Sequence, residues 1–422
     1  MTEAGWPLTE GEDAFLLQIA EIAFPGENPE VIGVAVSGGS DSMALLHLFA
    51  RVQAHRGGEV RAVTVDHRLR PEAADEARFV AEVCQRLGVR HDTLVWEHGV
   101  VRGNLQDQAR RARYGLISEW AQDNGIGHVV LGHTADDQAE TFLMGLAREA
   151  GIDGLSGMRK AWTADGIHWA RPCLLTKRAE LRAYLGRTGI SWVEDPSNAD
   201  ERFTRVKARR ALNALGPLGI TVEKLSTVTT NLSIAQSALR LAASERADRV
   251  VRTDAGEVVI DREEFRRSGR EIVRRILIGA LAWVGRGDYA PRADALFRLE
   301  RAIAEGRGAT LAGCRIVVND TEIRITREPK AVMGLQGPTD MLWDSRWRLT
   351  GPHDPGLRVR ALGAEGLRQC TDWRATGHSR AALVVSPAIW RANALVAAPL
   401  AGFGNGWVAE IVTGFHSFLL SH

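Results

Sequence analysis

Val31-Ile32-Gly33-Val34-Ala35-Val36-Ser37-Gly38-Gly39-Ser40-Asp41-Ser42-Met43 joins an apolar strand-like run, a glycine-serine turn and the start of an apolar helix-like run. Val31 to Val36 is too short for a helix and rich in β-branched residues, which predicts a strand buried on both faces. Met43, Ala44, Leu45, Leu46, Leu48 and Phe49 predict a covering helix, with Ser40 or Asp41 placed to cap it. Gly38 and Gly39 lack Cβ atoms, so backbone N–H groups can approach an oxyanion closely, and the helix N-terminus adds about half an elementary positive charge. An anionic ligand is the expected occupant. A Walker A loop would carry a lysine at the helix start and a dinucleotide fingerprint would read Gly-x-Gly-x-x-Gly; neither is present here.

Working outward, Val60 to Val65 alternates into a second strand that ends at Asp66-His67, with a helix from Glu72 to Leu87 after it. The C-terminal edge of an open α/β sheet faces the ligand crevice. Asp66 and His67 there read either as nucleotide contacts or as a helix-capping aspartate beside an exposed histidine. A third strand, Arg90 to Trp96, leads to a helix-like stretch, Asn104 to Tyr114, on which Arg110 shares a face with Arg113 and Tyr114. A fourth strand, His128 to Leu131, runs into His133-Thr134-Ala135-Asp136-Asp137-Gln138-Ala139-Glu140-Thr141. If this stretch is helical from His133, then His133, Asp137 and Glu140 fall at i, i+4 and i+7 on one stripe, while Phe142, Leu143 and Leu146 supply the apolar face. Strand and helix alternate again through Ile167 to Arg171 and Arg178 to Gly186. The expectation is an α/β fold, an open parallel sheet with right-handed crossovers and helices on both faces. Beyond a turn-rich segment, Arg205, Lys207, Arg209 and Arg210 form a dense basic cluster that reads as a solvated face or as phosphate contacts.

The 422 residues suffice for two or three domains, and the formal net charge of +1 confines any nucleic-acid surface to local patches. Only five of the 53 basic residues are lysines and none precedes Lys160, so phosphate charge near the turn must be met by arginine, backbone dipoles or a divalent cation. Cys84, Cys173, Cys314 and Cys370 form no Cys-x-x-Cys pair, which argues against zinc or iron–sulfur ligation. The N-terminus has no basic and apolar leader pattern and no apolar run reaches the roughly 18 residues of a membrane span, so a cytoplasmic protein is expected. Glu223 to Val250 and Arg270 to Val284 read as helices, with strand-like runs at Val258 to Ile260 and Arg315 to Ile325. The expected division is a catalytic domain over 1–215, a mainly helical middle domain over 216–330 and a small α+β domain over 331–422.

Ser37 to Ser42 after a strand resembles the pyrophosphate loop of the N-type ATP pyrophosphatases, the adenine nucleotide alpha hydrolase-like enzymes that cleave ATP between its α and β phosphates. The wider order of motifs resembles the bacterial tRNA(Ile)-lysidine synthetase family. It comprises Val65 to Arg70, the Gln-x-x-Ala-Arg-x-x-Arg-Tyr string ending at Tyr114, His133 to Thr141, Gly154-Leu155-Ser156-Gly157-Met158 and Trp192-Val193-Glu194-Asp195-Pro196-Ser197-Asn198. The last of these separates this family from other pyrophosphate-loop enzymes. Two departures stand out: Arg205-Val206-Lys207-Ala208-Arg209 replaces the usual Arg-Asn-x-Ile-Arg, and Ala147 to Ala150 lacks the usual Arg-Gly pair.

The resemblance implies ATP-dependent joining of L-lysine to the wobble cytidine of the isoleucine tRNA with a CAU anticodon, through an adenylated cytidine. It implies ATP binding by Ser37, Gly38, Gly39, Ser40, Asp41, Ser42, Asp66 and His67, and Mg²⁺ held by Asp41 and Asp137. It also implies a proton acceptor among His133, Asp137 and Glu140, and charge balance from Arg205 or Arg113. Contacts to tRNA or substrate are expected from Arg110, Arg113, Arg205, Arg209 and Arg210, and the appended domains would hold the tRNA. A pyrophosphate-loop tRNA thiolase is the nearest rival; an amidotransferase-like synthetase and a non-catalytic tRNA-binding relative are further ones.

Overall fold

The computed structural model describes residues 10–70, 72–99, 103–194, 204–287 and 290–421. Asp195, Pro196, Ser197 and Asn198 of the family-distinguishing motif lie outside them. The chain divides into two compact units, Met1–Gln236 and Ser237–His422.

In the first unit, α1 (Glu10–Ala23) precedes β1 (Val31–Ala35), α2 (Ser40–Arg56), β2 (Glu59–Asp66), α3 (Ala73–Leu87), β3 (Arg90–Val95), α4 (Leu105–Asp123) and β4 (His128–Leu131). Then come α5 (Ala135–Leu146), α6 (Ile152–Leu155), β5 (Ala161–Ala164), β6 (Ile167–Ala170), α7 (Arg178–Thr188), α8 (Thr204–Leu215) and α9 (Val222–Val250), within which the division between the units falls. The sheet order is β3-β2-β1-β4-β6-β5, parallel throughout except for β5, which pairs antiparallel with β6 through a hairpin at Asp165-Gly166. That hairpin is an addition to the expected parallel set.

Alternation along the strands sorts the side chains into two layers. Ile32, Val34 and Val130 join Leu45, Leu46, Phe49, Val80 and Leu185 in one core, while Val63, Val129, Leu131 and Trp169 join Ile117 and Trp120 of α4 in the other. Each fully buried leucine or phenylalanine of these layers contributes about 1.5–3 kcal/mol. Chain order runs outward from β1 to β2 and β3, then returns past β1 to β4. β1 and β4 are therefore neighbours whose connections leave in opposite directions, the switch point at which open α/β sheets bind ligands.

The second unit carries a five-stranded antiparallel sheet of order β7-β8-β11-β10-β9: β7 (Val251–Asp254), β8 (Glu257–Asp261), β9 (Ala309–Leu311), β10 (Cys314–Val318) and β11 (Glu322–Arg327). The stretch Arg315 to Ile325, which reads as one strand-like run, is a hairpin, turned at Asn319, whose side-chain oxygen accepts the N–H groups of Thr321 and Glu322. Helices Arg270–Gly285 and Ala293–Ala304 pack on this sheet. Phe415, Phe418 and Leu419 of the last helix enter the same core, alongside Ile276 and Leu281. Between them lie a four-stranded sheet and a two-stranded one within 336–411. Among the described residues no helix is long and apolar enough to cross a membrane.

Candidate active site

The turn after β1 closes on itself through its serines. Ser42 Oγ accepts the N–H of Ser37 at 3.1 Å and donates to the carbonyl of Gly39 at 3.0 Å. Gly38 adopts φ +84°, a left-handed conformation that side chains resist. Gly39, rather than Ser40 or Asp41, is the N-cap of α2, and no side chain caps it. A glycine cap leaves the first amides of α2 to whatever anion enters, because helix geometry gives the N-terminal N–H groups no internal partner. Gly132, at the end of β4, has its own reason to lack a side chain: a Cβ there would lie 3.0 Å from Ser42 Cα and 3.1 Å from Ser42 N.

This turn floors a cleft of about 530 Å³. His133, Asp137, Arg178, Arg182, Arg205 and Arg209 all line it. Asp137 is the third residue of α5 and completes a capping box: its Oδ2 accepts both the N–H and the hydroxyl of Thr134 at 2.9 Å. His133 precedes that cap and lies outside the helix, so the expected single stripe of His133, Asp137 and Glu140 is replaced by a loop residue above two helical ones. The start of α7 is tied to α5, since the N–H of Arg178 donates to Asp136 Oδ2 at 2.8 Å and the N–H of Ala135 to the carbonyl of Thr176 at 2.9 Å.

That tether places Arg178 among three carboxylates. Its Nε donates to Asp41 Oδ2 at 2.8 Å, and its other nitrogens stand 3.4 Å from Asp137 Oδ1 and 3.6 Å from Glu140 Oε1. Arg205 lies 3.5 Å from Asp137, and Arg209 Nε donates to Glu140 Oε1 at 2.9 Å. Burial pushes the Asp41 carboxyl up, and the charge of Asp137 adds to it, against the pull of Arg178. Burial and then Asp137 likewise raise Glu140. For Asp137 burial is outweighed by Arg178, the Thr134 N–H and Arg205, and its carboxyl is held below the ordinary range. Burial and Arg171 drive His133 down to about 3, which keeps its imidazole neutral. Glu140 is only 1% exposed, and its Oε2 has no hydrogen-bond partner.

The other candidates separate. His67 lines the cleft with its Nδ1 buried and unpartnered, and burial lowers its pKa. Asp66 is no helix cap, because the N-cap of α3 is Glu72; its Oδ1 accepts the N–H of Arg68 at 2.8 Å and fastens the turn after β2. Arg113 lines the cleft from α4, whereas Arg110 is exposed and lies 5.1 Å from the ring centre of Tyr114. Arg210 is exposed and is not among the cleft residues. Of the basic cluster on α8, Arg205 and Arg209 meet carboxylates. Sequence reasoning passed over Arg178 and Arg182, whose only signal was a pair of arginines at i, i+4 opening a helix just after Arg171-Pro172.

The glycine-serine turn at a switch point defines a phosphate-binding α/β enzyme class, and residues 13–215 match the family of the PP-loop domain. Over 402 residues the chain is 46% identical to a tRNA(Ile)-lysidine synthase of Ruegeria pomeroyi, covering 94% of this chain and 96% of that protein. It is 38% identical to one from a Bradyrhizobium species over 76% of this chain and 97% of that protein, and 34% identical to one from the Wolbachia of Brugia malayi over 76% of each. Among solved structures it is similar, at a TM-score of 0.46 and 12% identity, to the U34-tRNA thiolase NcsA from Methanococcus maripaludis, over 52% of this chain and 78% of that one. The chain belongs to the tRNA(Ile)-lysidine synthase family, ligases built on an ATP-using PP-loop domain.

Proposed function

We propose that this chain joins the ε-amine of L-lysine to C2 of the wobble cytidine in the CAU-anticodon isoleucine tRNA. In the first step the cytidine O2 attacks the α-phosphorus of ATP, the Pα–O bond to the β-phosphate breaks, and pyrophosphate leaves. In the second the lysine amine forms a bond to C2, AMP departs with the O2 oxygen, and the amine gives up a proton. The single observation that supports this best is one cleft lined by the phosphate turn, Asp41, Asp137, Arg178 and Arg209, with the unpartnered Oε2 of Glu140 buried just outside that lining, against Arg178 and Arg209.

The turn amides and the N-terminus of α2 receive the phosphates, with His67 at the adjoining strand end. Asp41 and Asp137 fit Mg²⁺, which takes hard oxygen ligands and is usually held by one or two carboxylates together with substrate phosphates. Burial, and then the charge of Asp137, raise Asp41, so a shared cation suits them. Bound there, Mg²⁺ would supply charge neutralisation to the departing pyrophosphate. At pH 7 a lysine amine of pKa about 10.4 is neutral in only about one molecule in a few thousand, so a proton acceptor is needed. His133 is held too acidic for the task and both Asp137 oxygens are engaged. Glu140, with a raised pKa and an idle oxygen, takes that role. Arg113, Arg205 and Arg209 balance phosphate and adenylate charge, and the stretches 216–330 and 331–422 hold the tRNA, with Arg110 and Arg210 at the RNA side. The thiolase rival requires a reactive sulfur site. All four cysteines are buried, and burial pushes Cys84, Cys173 and Cys314 up to about 12.

The test is ATP-dependent incorporation of labelled lysine into a CAU-anticodon isoleucine tRNA transcript, with the elongator methionine tRNA as control. Incorporation into the first alone is expected. Cleavage of ATP to AMP and pyrophosphate without lysine transfer would instead point to the thiolase reading.

A further inference from the structure

Six arginines line the cleft, and five are committed or remote from the turn. Arg178, Arg205 and Arg209 face the acidic trio, Arg70 is bonded to the Glu76 carboxylate, and Arg113 is half-buried on α4 beside the Tyr114 ring. Arg182 differs. It sits one helical turn after Arg178, and its Nε donates to Ser40 Oγ at 3.2 Å, so its guanidinium already touches the first turn of α2. It also lies 6.0 Å from the centre of the Trp192 ring and pairs with Glu194 at 3.0 Å, and both side chains of that ion pair are open to solvent, at 43% and 62% exposure. Exposed ion pairs are weak and exchange readily for a more highly charged anion. Glu194 itself is held in place: Trp192 Nε1 donates to its Oε1 at 2.9 Å, and the N–H of Val193 donates to the carbonyl of Gly38 at 2.9 Å. The Trp192 to Glu194 stretch thus docks on the phosphate turn and presents a carboxylate to Arg182, which contacts that turn directly through Ser40.

We infer that Arg182 is the residue that grips the departing pyrophosphate, and that Glu194 is its resting partner. The inference rests on the adenylation chemistry proposed above. As the bond from the α-phosphorus to the bridging oxygen breaks, the electron pair stays on pyrophosphate. The guanidinium meets that charge with two parallel N–H donors while the bond from cytidine O2 forms, and no proton is transferred. Release of Glu194 compensates the new contact, so Arg182 is charge-paired before and after the step. Two arginines of one helix then divide the work: Arg178 holds the carboxylates and Arg182 the leaving group.

The experiment uses the full chain with the CAU-anticodon transcript and compares Arg182→Met, Arg182→Lys and Glu194→Gln. Pyrophosphate formation should slow about 10²–10³-fold in Arg182→Met, as for loss of one transition-state donor, with partial recovery in Arg182→Lys. The decisive readout is product inhibition, with inorganic pyrophosphate and AMP as probes. Inhibition by pyrophosphate should weaken at least about tenfold in Arg182→Met while inhibition by AMP stays within about twofold, and Glu194→Gln should bind pyrophosphate more tightly than the parent. A general loosening of the cleft would move both inhibitors together, and that result, or unchanged pyrophosphate inhibition, overturns the assignment. Should Arg182→Met fail to fold, the lysine and Glu194 variants carry the same comparison. If the parent enzyme forms no pyrophosphate with the transcript, the adenylation reading itself fails, an outcome separate from any shift among the variants.

Discussion

Two buried ion networks, one in each unit, are built from the same residue types and differ in how completely they are satisfied. In the second unit Glu257 is fully buried and both its oxygens are used: Oε1 accepts from Arg324 at 2.5 Å and Oε2 from the Thr326 hydroxyl at 2.8 Å. Arg324 is fixed in turn by Glu322 at 2.9 Å. In the first unit Asp41, Asp137 and Glu140 share Arg178, Asp41 and Glu140 are pushed up by burial, and Glu140 Oε2 has no partner. A buried polar group without a partner costs free energy, so a satisfied network reads as structure and an incomplete one as a site awaiting substrate.

The sharpest way to break this contrast is Asp41→Asn. AMP formation should fall about 10³-fold or more, since the carboxylate placed for metal and phosphate is gone. The melting temperature should not fall with it. A carboxyl whose folded pKa is raised contributes stability that is full below its unfolded pKa and lost as pH rises through the folded value, so ionised Asp41 weakens the fold at pH 7 and asparagine does not. A thermal scan showing clear destabilisation would place Asp41 with Glu257 as a structural group. Glu257→Ala is the mirror experiment. Removing this buried carboxylate takes a partner from Arg324 and the acceptor from the buried Thr326 hydroxyl, and should cost about 3 kcal/mol, read as a lower denaturation midpoint, with lysine-independent pyrophosphate formation per folded molecule retained.

A smaller and more selective effect is expected from Glu140→Gln. The lysine step should slow about 10²-fold while adenylated tRNA accumulates, and the acid limb of the parent's lysine-transfer profile should lie above the pH expected of an ordinary glutamate. Equal loss of both steps would return Glu140 to a purely arginine-holding role. The smallest effect concerns His47, a group in neither network, whose Nδ1 is 2.8 Å from the Tyr184 hydroxyl. Burial, then Arg51, lowers it to about 4, so its contribution is present above the ordinary pKa of 6.5 and is lost as pH falls from there toward about 4. The unfolding free energy from urea titrations across that range should drop for the parent by roughly 1–3 kcal/mol and vary less for His47→Gln.

Much of the first unit was legible because its signals are local. Val31 to Met43 carries the strand, the turn and the helix in consecutive residues, and the C-terminal ends of β2 and β4 could be located from short apolar runs, alternating in β2. Three local readings missed by a few residues for identifiable reasons. Gly39 rather than Ser40 or Asp41 caps α2, and those two side chains are engaged by Arg182 and Arg178; His133 stays outside α5 because Thr134 and Asp137 form the cap; and Arg315 to Ile325 bends because Asn319 captures two N–H groups.

By itself the sequence determined the class of fold, the phosphate turn and the family, since these depend on short-range periodicity and on motifs whose chemistry is complete within about ten residues. Only the tertiary structure decided which charges meet. Arg178 reaches Asp41 across 137 positions of chain, Arg209 reaches Glu140 across 69, and Arg182 reaches Ser40 across 142. Such pairings are set by where α7 and α8 dock against the sheet, through the tether of Asp136 to the start of α7 and the packing of Leu181 and Leu185 in the core, and no one-dimensional pattern encodes that geometry.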